Sequence, residues 1–413
     1  MSDGLAALDA ITDLVLTYGA AHKNRPIALQ ATRKSPFRFY EFFCGAGMAR
    51  AGLGPMWECL FANDFDFKKS AAYKENWGAD VLKTGDVGRL DIGELPGRAS
   101  LVWASFPCQD LSLAGMGAGL RGDRSGTFWP FWELMKRLQK DKRAARLIVL
   151  ENVCGTLTSH DGRDFTAIAE ALAAADYKFG AVIVDAAEFV PQSRPRLFII
   201  AATSTTAIPA PLMDRMPDCL HHTQALRTAY DRLPESIRQH WIWWRVPAAT
   251  KRTARFADLV EETPTSVQWH TPEETAKLLA MMSPLNLKKV AVAKKTGKLL
   301  VGTIYKRTRF DENQIKVQRA EVRFDDIAGC LRTSTGGSSR QLILVMKGDT
   351  VRSRLLSSRE AARLMGLPDT YRLPTNYNEA YHLMGDGVAV PVVRHLAATL
   401  LEPILAAKAR ASA

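Results

Sequence analysis

From Phe37 onward the chain alternates short, largely apolar, strand-like runs with stretches whose apolar residues recur at helical spacing. The runs are "FRFYEFF" (37–43), "ECLFAND" (58–64), "RASLVWASF" (98–106), "ARLIVLENV" (145–153), "FGAVIVDAAEF" (179–189) and "RPRLFIIAAT" (194–203). Largely apolar runs of this length suit strands buried on both faces of a sheet. Between them, "ARAGLGPM" (49–56) can begin a helix, and "RDFTAIAEALAAA" (163–175) reads as one throughout. Strands alternating with helices predict an α/β domain with a doubly wound, mainly parallel sheet over 37–202. Ahead of it, Leu5, Leu8, Ile11 and Leu14 recur at helical intervals, which predicts an amphipathic helical extension within 1–36.

After Thr203 this rhythm stops. Residues 204–217 hold three prolines among small polar residues and read as a linker. The segment 203–356 is predicted to be a smaller, irregular domain. It contains "WIWW" (241–244), which could stack on bases or fill a small core, and "KKTGKLLVGTIYKRTRF" (294–310), which alternates like a β-hairpin around Thr296-Gly297. A helix is expected from Ser357 in "SSREAARLMGL". The end, "GVAVPVVRHLAATLLEPILAAKA", is strongly apolar, so 357–413 reads as a hinge and a helix returning to the first domain.

Composition narrows the function. The 413 residues are 47% hydrophobic and 24% charged, as in ordinary globular chains. No run looks long enough to cross a bilayer, and the first residues lack the basic region and cleavage site of a secretory signal. Six cysteines without a CxxC pair argue against a disulfide framework or a structural zinc site and fit a reducing cytoplasm. Asp218-Cys219 beside His221 and His222 lacks a fourth ligand at suitable spacing, so no metal is expected. The net charge is +12, and Met281–Phe310 holds eight basic residues and no acid. Such a field either attracts a polyanion or serves as a solvated face.

Four segments carry candidate chemistry at the carboxyl ends of predicted strands, where open α/β sheets bind ligands. In "EFFCGAGM", Gly45 and Gly47 allow a sharp turn through which a ligand can approach main-chain amides. Asp64 after the second run, where such folds grip ribose hydroxyls, and Asp86 in the following loop suit a nucleoside-containing cofactor. "SFPCQDLS" places Cys108 behind Pro107 and ahead of a glycine-dense loop that resembles a closing lid. Glu151 ends an apolar strand, where a carboxyl held neutral could donate a proton or hydrogen bond to a heterocycle. Finally "PQSRPRLF" spaces Arg194 and Arg196 by the two-residue period, as if to project together toward a phosphate or a base carbonyl.

The order of these blocks resembles the DNA (cytosine-5)-methyltransferase family of bacterial restriction–modification systems. The likeness continues through "SSREAARLMGLPDTY" (357–371) and "GDGVAVPVV" (385–393), and covers roughly 37–202 and 357–395. It implies a Rossmann-like core dependent on S-adenosylmethionine, a target-recognition domain in the variable basic stretch, and a double-stranded DNA substrate whose base is flipped out. By that resemblance Cys108 is the nucleophile adding to carbon 6 of cytosine. Glu151 contacts ring nitrogen 3 and the exocyclic amine, Arg196 the base carbonyl, and Arg194 belongs to the same catalytic group. Phe43, Gly45, Gly47, Asp64, Phe65, Asp86 and Pro107 surround the cofactor, joined by Asp386 and Val388 from the last motif. Gln109, Ser112 and Arg124 in the loop, and Lys288, Lys289, Lys306, Arg307 and Arg309 in the basic stretch, are the implied DNA contacts.

Three positions depart from the family's pattern. Ser105 stands where glycine is common before Phe-Pro-Cys, Asp386 where asparagine is usual, and Cys44 inside the glycine turn reads as a packing residue. A transfer-RNA cytosine methyltransferase and an inactive DNA-binding relative are the rival readings; the long basic segment favours duplex DNA, and the intact Cys108, Glu151 and Arg196 favour activity. A monomer on DNA is expected, with a restriction endonuclease as its functional counterpart.

Overall fold

A computed structural model of the chain describes residues 36–107, 127–310, 313–332 and 340–407. The N-terminal extension, Cys108, Gln109, Ser112 and Arg124 lie outside the described residues. The chain divides into two compact units: 1–185, 195–249 and 390–413 form the first, and 186–194 with 250–389 the second.

The first unit is built on a seven-stranded sheet. Its strands are β1 (Phe37–Phe42), β2 (Trp57–Asp64), β3 (Leu82–Thr84), β4 (Leu101–Ala104), β5 (Leu147–Val153), β6 (Tyr177–Asp185) and β7 (Pro195–Thr203). They lie in the order β3-β2-β1-β4-β5-β7-β6. The first five run parallel, and β7 is antiparallel to both β5 and β6. The expected doubly wound α/β architecture is therefore present. β3 is an addition to the reading above: three residues, none buried, carry no apolar run to notice. Helices α1 (Met48–Leu53), α2 (Phe67–Trp77), α3 (Phe128–Lys140) and α4 (Arg163–Ala174) follow strands of the sheet. Phe42, Phe61, Phe128, Phe131, Ile168 and Leu172 are among the side chains that fill one core beside it.

The division runs differently from the one expected. Residues 204–249 belong to the first unit, not to the small domain. Trp244 is fully buried with its indole donating to the Ile200 carbonyl at 3.1 Å, and Trp241 packs edge-on against Phe165 and Phe179. "WIWW" is thus core, in the first unit. The C-terminal helices also close that unit. Arg394 bonds the Leu53 carbonyl and Glu402, Trp57 donates to Glu402 Oε1 at 2.8 Å, and Arg146 donates to the Leu405 carbonyl at 3.0 Å. The stretch Tyr377–Ala406 is long and apolar enough to cross a membrane, contrary to the sequence estimate, but 61% of its most apolar window is buried in the fold.

The second unit is ordered, not irregular. Continuing the strand numbering after the short pair β8 (Met213–Asp214) and β9 (Trp243–Trp244), it holds β10 (Leu299–Phe310), β11 (Lys316–Arg323), β12 (Leu342–Lys347) and β13 (Thr350–Leu355). These form an antiparallel sheet in the order β11-β10-β12-β13. Leu278, Val290, Ala293, Ile304, Val322, Leu344 and Met346 make its core with the helices Pro272–Ala280 and Pro284–Lys295. The hairpin expected at Thr296-Gly297 does not form. Ser283 caps a helix that opens with Pro284, and Gly297 ends it at φ 64°, a left-handed conformation that favours glycine. The true hairpin joins β10 to β11.

Candidate active site

The carboxyl ends of β1, β2, β4 and β5 bring several of the expected residues of the first unit onto one edge of the sheet. At β1 the chain turns through Phe43 (φ 55°), Gly45 (φ 55°) and Gly47 (φ 76°) into α1. Cys44 N donates to the Asn63 carbonyl at 3.0 Å, so the turn is fastened to the end of β2. Asp64 completes the fastening: its Oδ2 accepts from Gly45 N at 2.7 Å and its Oδ1 from Asp66 N at 2.8 Å. Burial pushes the Asp64 carboxyl above its usual range, and the two amides oppose that shift.

The two glycines of the turn serve different ends. Among the described residues a Cβ at Gly45 would meet nothing within 4 Å, so the main chain there leaves space for a ligand. A Cβ at Gly47 would lie 2.4 Å from Trp77 Nε1, whose indole donates to the Ala46 carbonyl at 3.0 Å. Gly47 is explained by packing. Cys44 is also a packing residue: it is buried, and burial raises its thiol well above the ordinary value.

Phe65 follows Asp64 and is 71% exposed, an aromatic face at the rim beside a carboxylate. Phe43 is half-buried against Phe106 and Phe131. Asp86 is exposed and its Oδ1 caps the short helix after β3 through Gly88 N at 2.8 Å. An open turn, a carboxylate and an exposed ring fit a nucleoside, with the acid for hydroxyls and the ring for the base.

Glu41, missed by the sequence reading, lies beneath this turn. It is 1% exposed, accepts from Arg50 N at 3.3 Å, and its carboxyl is pushed up to about 8 by burial. The signal available was an acid inside an otherwise aromatic strand just before the glycines.

At β4 the departure at Ser105 has a structural reason. Trp103 is fully buried and its indole N–H donates to Ser105 Oγ at 3.1 Å, an acceptor glycine could not supply. The chain then passes through buried Phe106 to exposed Pro107, immediately before Cys108. Asn152 at the end of β5 holds this segment: its Nδ2 donates to the Phe106 carbonyl at 3.0 Å, while its Oδ1 accepts from Val153 N at 2.8 Å.

Glu151 is 5% exposed, and Arg196 Nε stands 3.3 Å from its Oε1. The antiparallel register explains the meeting, since Val153 lies opposite Arg196 and Glu151 opposite Phe198, a diagonal across two strands. A buried carboxyl and a planar guanidinium at the mouth of adjacent strands can together address the edge of a flat heterocycle.

The pairing of Arg194 with Arg196 is not observed. The chain leaves the strand at Pro195, and Arg194 belongs to the second unit. It is 1% exposed and donates to the carbonyls of Leu331, Gly385 and Gly387 at 3.0, 2.6 and 2.6 Å. Its fork is spent on main chain, a structural clamp that corrects the catalytic assignment. The clamped carbonyls flank Asp386, which is exposed at the end of the helix Tyr377–Asp386, and Val388 nearby is buried. Of the expected DNA contacts, Lys288, Lys289, Lys306, Arg307 and Arg309 are all exposed in the second unit. Among the described residues no cluster of three metal-ligating side chains occurs.

Three comparisons bear on this arrangement. The sequence model of the family described as C-5 cytosine-specific DNA methylase matches residues 37–402. The chain is 24% identical over 393 residues to the type II methyltransferase M.HpaII of Haemophilus parainfluenzae, covering 90% of this chain and 91% of that one. It is 23% identical over 380 residues to the type II methyltransferase M.HhaI of Haemophilus parahaemolyticus, covering 90% and 96%. Among solved structures, Dnmt2 methyltransferase of S. pombe superposes with a TM-score of 0.53 at 16% identity, covering 89% of this chain and 99% of that one. A Spodoptera frugiperda DNMT2 variant gives 0.57 at 16%, with the same coverage. These structural likenesses are to the fold.

Proposed function

The chain belongs to the C-5 cytosine-specific DNA methylase family and is a DNA (cytosine-5)-methyltransferase; we propose that it methylates a specific duplex sequence using S-adenosylmethionine and a covalent Cys108 adduct. When bound, S-adenosylmethionine supplies an electrophilic methyl group on a sulfonium. The residues that would hold it are Asp64 at the ribose hydroxyls, Phe65 and Phe43 around the adenine, Asp86 at the adenine amine, and the main chain at Gly45. The open space at Gly45 and the exposed Phe65 ring support this assignment.

Carbon 5 of cytosine is a poor nucleophile. Addition of the Cys108 thiolate to carbon 6 makes it enamine-like, provided that charge at ring nitrogen 3 is relieved. Glu151, buried beside Arg196, is placed to hydrogen-bond the ring-nitrogen edge of the base while the guanidinium meets the base carbonyl. After methylation, loss of the proton from carbon 5 and departure of the thiol restore the ring. A stacked base cannot reach such a site, so the cytosine is flipped out of the duplex. The observation that carries the reading is the pair of Arg196 on β7 with Glu151 on β5, the strand next to β4, tied through Asn152 to the segment that delivers Cys108. Lys288, Lys289, Lys306, Arg307 and Arg309 are assigned to the DNA backbone and bases. The type II designation of the relatives supports a role opposite a restriction endonuclease.

The test is methyl transfer from labelled S-adenosylmethionine to mixed genomic DNA and, in parallel, to transfer RNA, with Cys108→Ala alongside. The expected outcome is label on carbon 5 of cytosine in DNA, abolished in the variant. Label confined to RNA, or transfer that survives Cys108→Ala, would overturn the reading.

A further inference from the structure

β10 is twelve residues long but pairs with β12 only over Leu299–Ile304. Beyond Ile304 its sole partner among the described residues is β11, with Tyr305 opposite Glu321 through Phe310 opposite Lys316. The four-stranded sheet thus narrows to a two-stranded ribbon of six residue pairs, held at its base where Ala320 bridges Met282, with an outer four pairs roughly 14 Å long at the usual rise per residue. Lys306–Phe310 are all exposed, as are Lys316, Gln318 and Arg319. A ribbon of this kind fits the major groove of B-DNA, which admits a helix or two strands.

Its two faces differ. One continues the core face, where Ile304, Ala320 and Val322 are buried. The other carries Tyr305, Arg307 and Arg309 on β10 against Glu321, Arg319 and Val317 on β11. On this second face Arg307 lies directly opposite Arg319, and like charges so placed destabilise a hairpin. Glu321 is the only acid among these six residues. It accepts from Arg309 Nε at 2.9 Å and stands 3.4 Å from Arg307 Nε, while the Arg307 guanidinium sits over the Tyr305 ring at 5.6 Å. Arg307 and Arg309 are therefore oriented by the protein, whereas Arg319 makes no ion pair among the described residues.

Resting on the duplex-DNA reading above, we propose that this ribbon face reads sequence in the major groove, with Arg319 and Arg307 each taking the O6/N7 edge of a guanine. A planar guanidinium meets that edge with two parallel hydrogen bonds, and at Arg307 the Glu321 carboxylate and the Tyr305 ring orient the fork. The face that opposes two arginines is stable only at a cost, and a paired ligand edge offsets it. Arg319 was absent from the expected DNA contacts because it lies beyond the acid-free run, and only the strand register places it opposite Arg307.

The experiment sequences the duplexes that full-length protein retains from a pool with randomised base pairs around a central cytosine. It compares wild type with Arg319→Ala and Arg319→Lys, and measures methyl transfer on the same pool. Wild type should enrich a motif containing guanine. Arg319→Ala should lose preference at one base pair by roughly 5- to 150-fold while the other positions persist. Arg319→Lys, which keeps the charge and loses the fork, should restore overall binding more than preference at that position. If both variants keep the whole motif, and Arg319→Ala merely binds all sequences more weakly with a salt slope reduced by about one, the arginine contacts phosphate and the inference fails. No enrichment by wild type also overturns it. A selected motif without methyl transfer would overturn the proposed activity instead and leave the ribbon's role standing.

Discussion

Each unit holds a buried carboxylate–guanidinium pair, and the two pairs are built for opposite purposes. In the second unit Arg354 and Glu360 are both 0% exposed and bonded at both oxygens, at 2.6 and 2.7 Å. Glu360 also accepts from the main-chain N–H groups of Glu261 and Ser357 at 2.7 and 2.8 Å, and Arg354 donates onward to the Glu261 and Leu355 carbonyls. In the first unit Arg196 is 14% and Glu151 7% exposed at the side chain, with 3.3 Å between them. Arg196 Nη1 meanwhile turns to the Pro195 carbonyl. The first arrangement engages both oxygens of Glu360 and both terminal nitrogens of Arg354, and locks "SSREAARLMG" to its own unit. The second stands at the carboxyl end of β5, where both side chains keep some exposure. A buried ion pair is not by itself a sign of chemistry; full enclosure in one case and a place at a strand end in the other tell the two apart.

The sharpest way to break the comparison is to remove one partner from each pair. Glu360→Ala strands a guanidinium at zero exposure, and denaturant unfolding should show a loss of about 3–5 kcal/mol. A loss below about 1 kcal/mol would mean that the pair is not a lock. Glu151→Gln, close to isosteric, should instead leave unfolding within about 1 kcal/mol of wild type and lower kcat by roughly a hundredfold or more, with single-turnover methyl transfer as the readout. Equal loss of stability in both variants would erase the distinction.

A smaller effect concerns buried groups that belong to neither pair. His221 and His222 are 1% and 0% exposed, and burial holds both imidazoles below their ordinary value despite the opposing charge of Asp218. Because the folded protein disfavours the protonated rings, stability is full above the unfolded value of 6.5 and falls as pH drops below it. Thermal melts between pH 7.5 and 5.5 should show that fall, and His221→Leu should flatten it. A variant with the full acid dependence of wild type would assign the effect to other groups.

The first unit was legible because strands buried on both faces must be written as largely apolar runs, and its ligand-facing residues fall where those runs end. Asp64, Glu151 and the Gly45 turn were found that way. Arg194 was misread because a two-residue period holds only while the strand lasts, and Pro195 is where β7 begins. The second unit resisted because its sheet is short, antiparallel and stitched to helices. Thr296-Gly297 looks like a hairpin turn from its alternating flanks, yet Ser283-Pro284 and Gly297 are equally good helix boundaries, and packing of Val290 and Ala293 into the core decides the matter. Glu41 and Asn152 were overlooked because their work is done on main-chain groups that no spacing rule anticipates.

The route of the chain between its two units has a consequence for synthesis. The first unit takes its final helices from residues after 389, although most of its sheet is complete by residue 203. At the usual pace of translation, on the order of ten seconds separate emergence of Ala249 from emergence of Val390. Throughout that interval the floor that Val393, Leu396 and Leu400 will cover has no lid of its own. The nascent first unit must wait, open along one side, until the second has been made, and a ribosome that stalls within the insertion leaves the catalyst unfinished and that side uncovered.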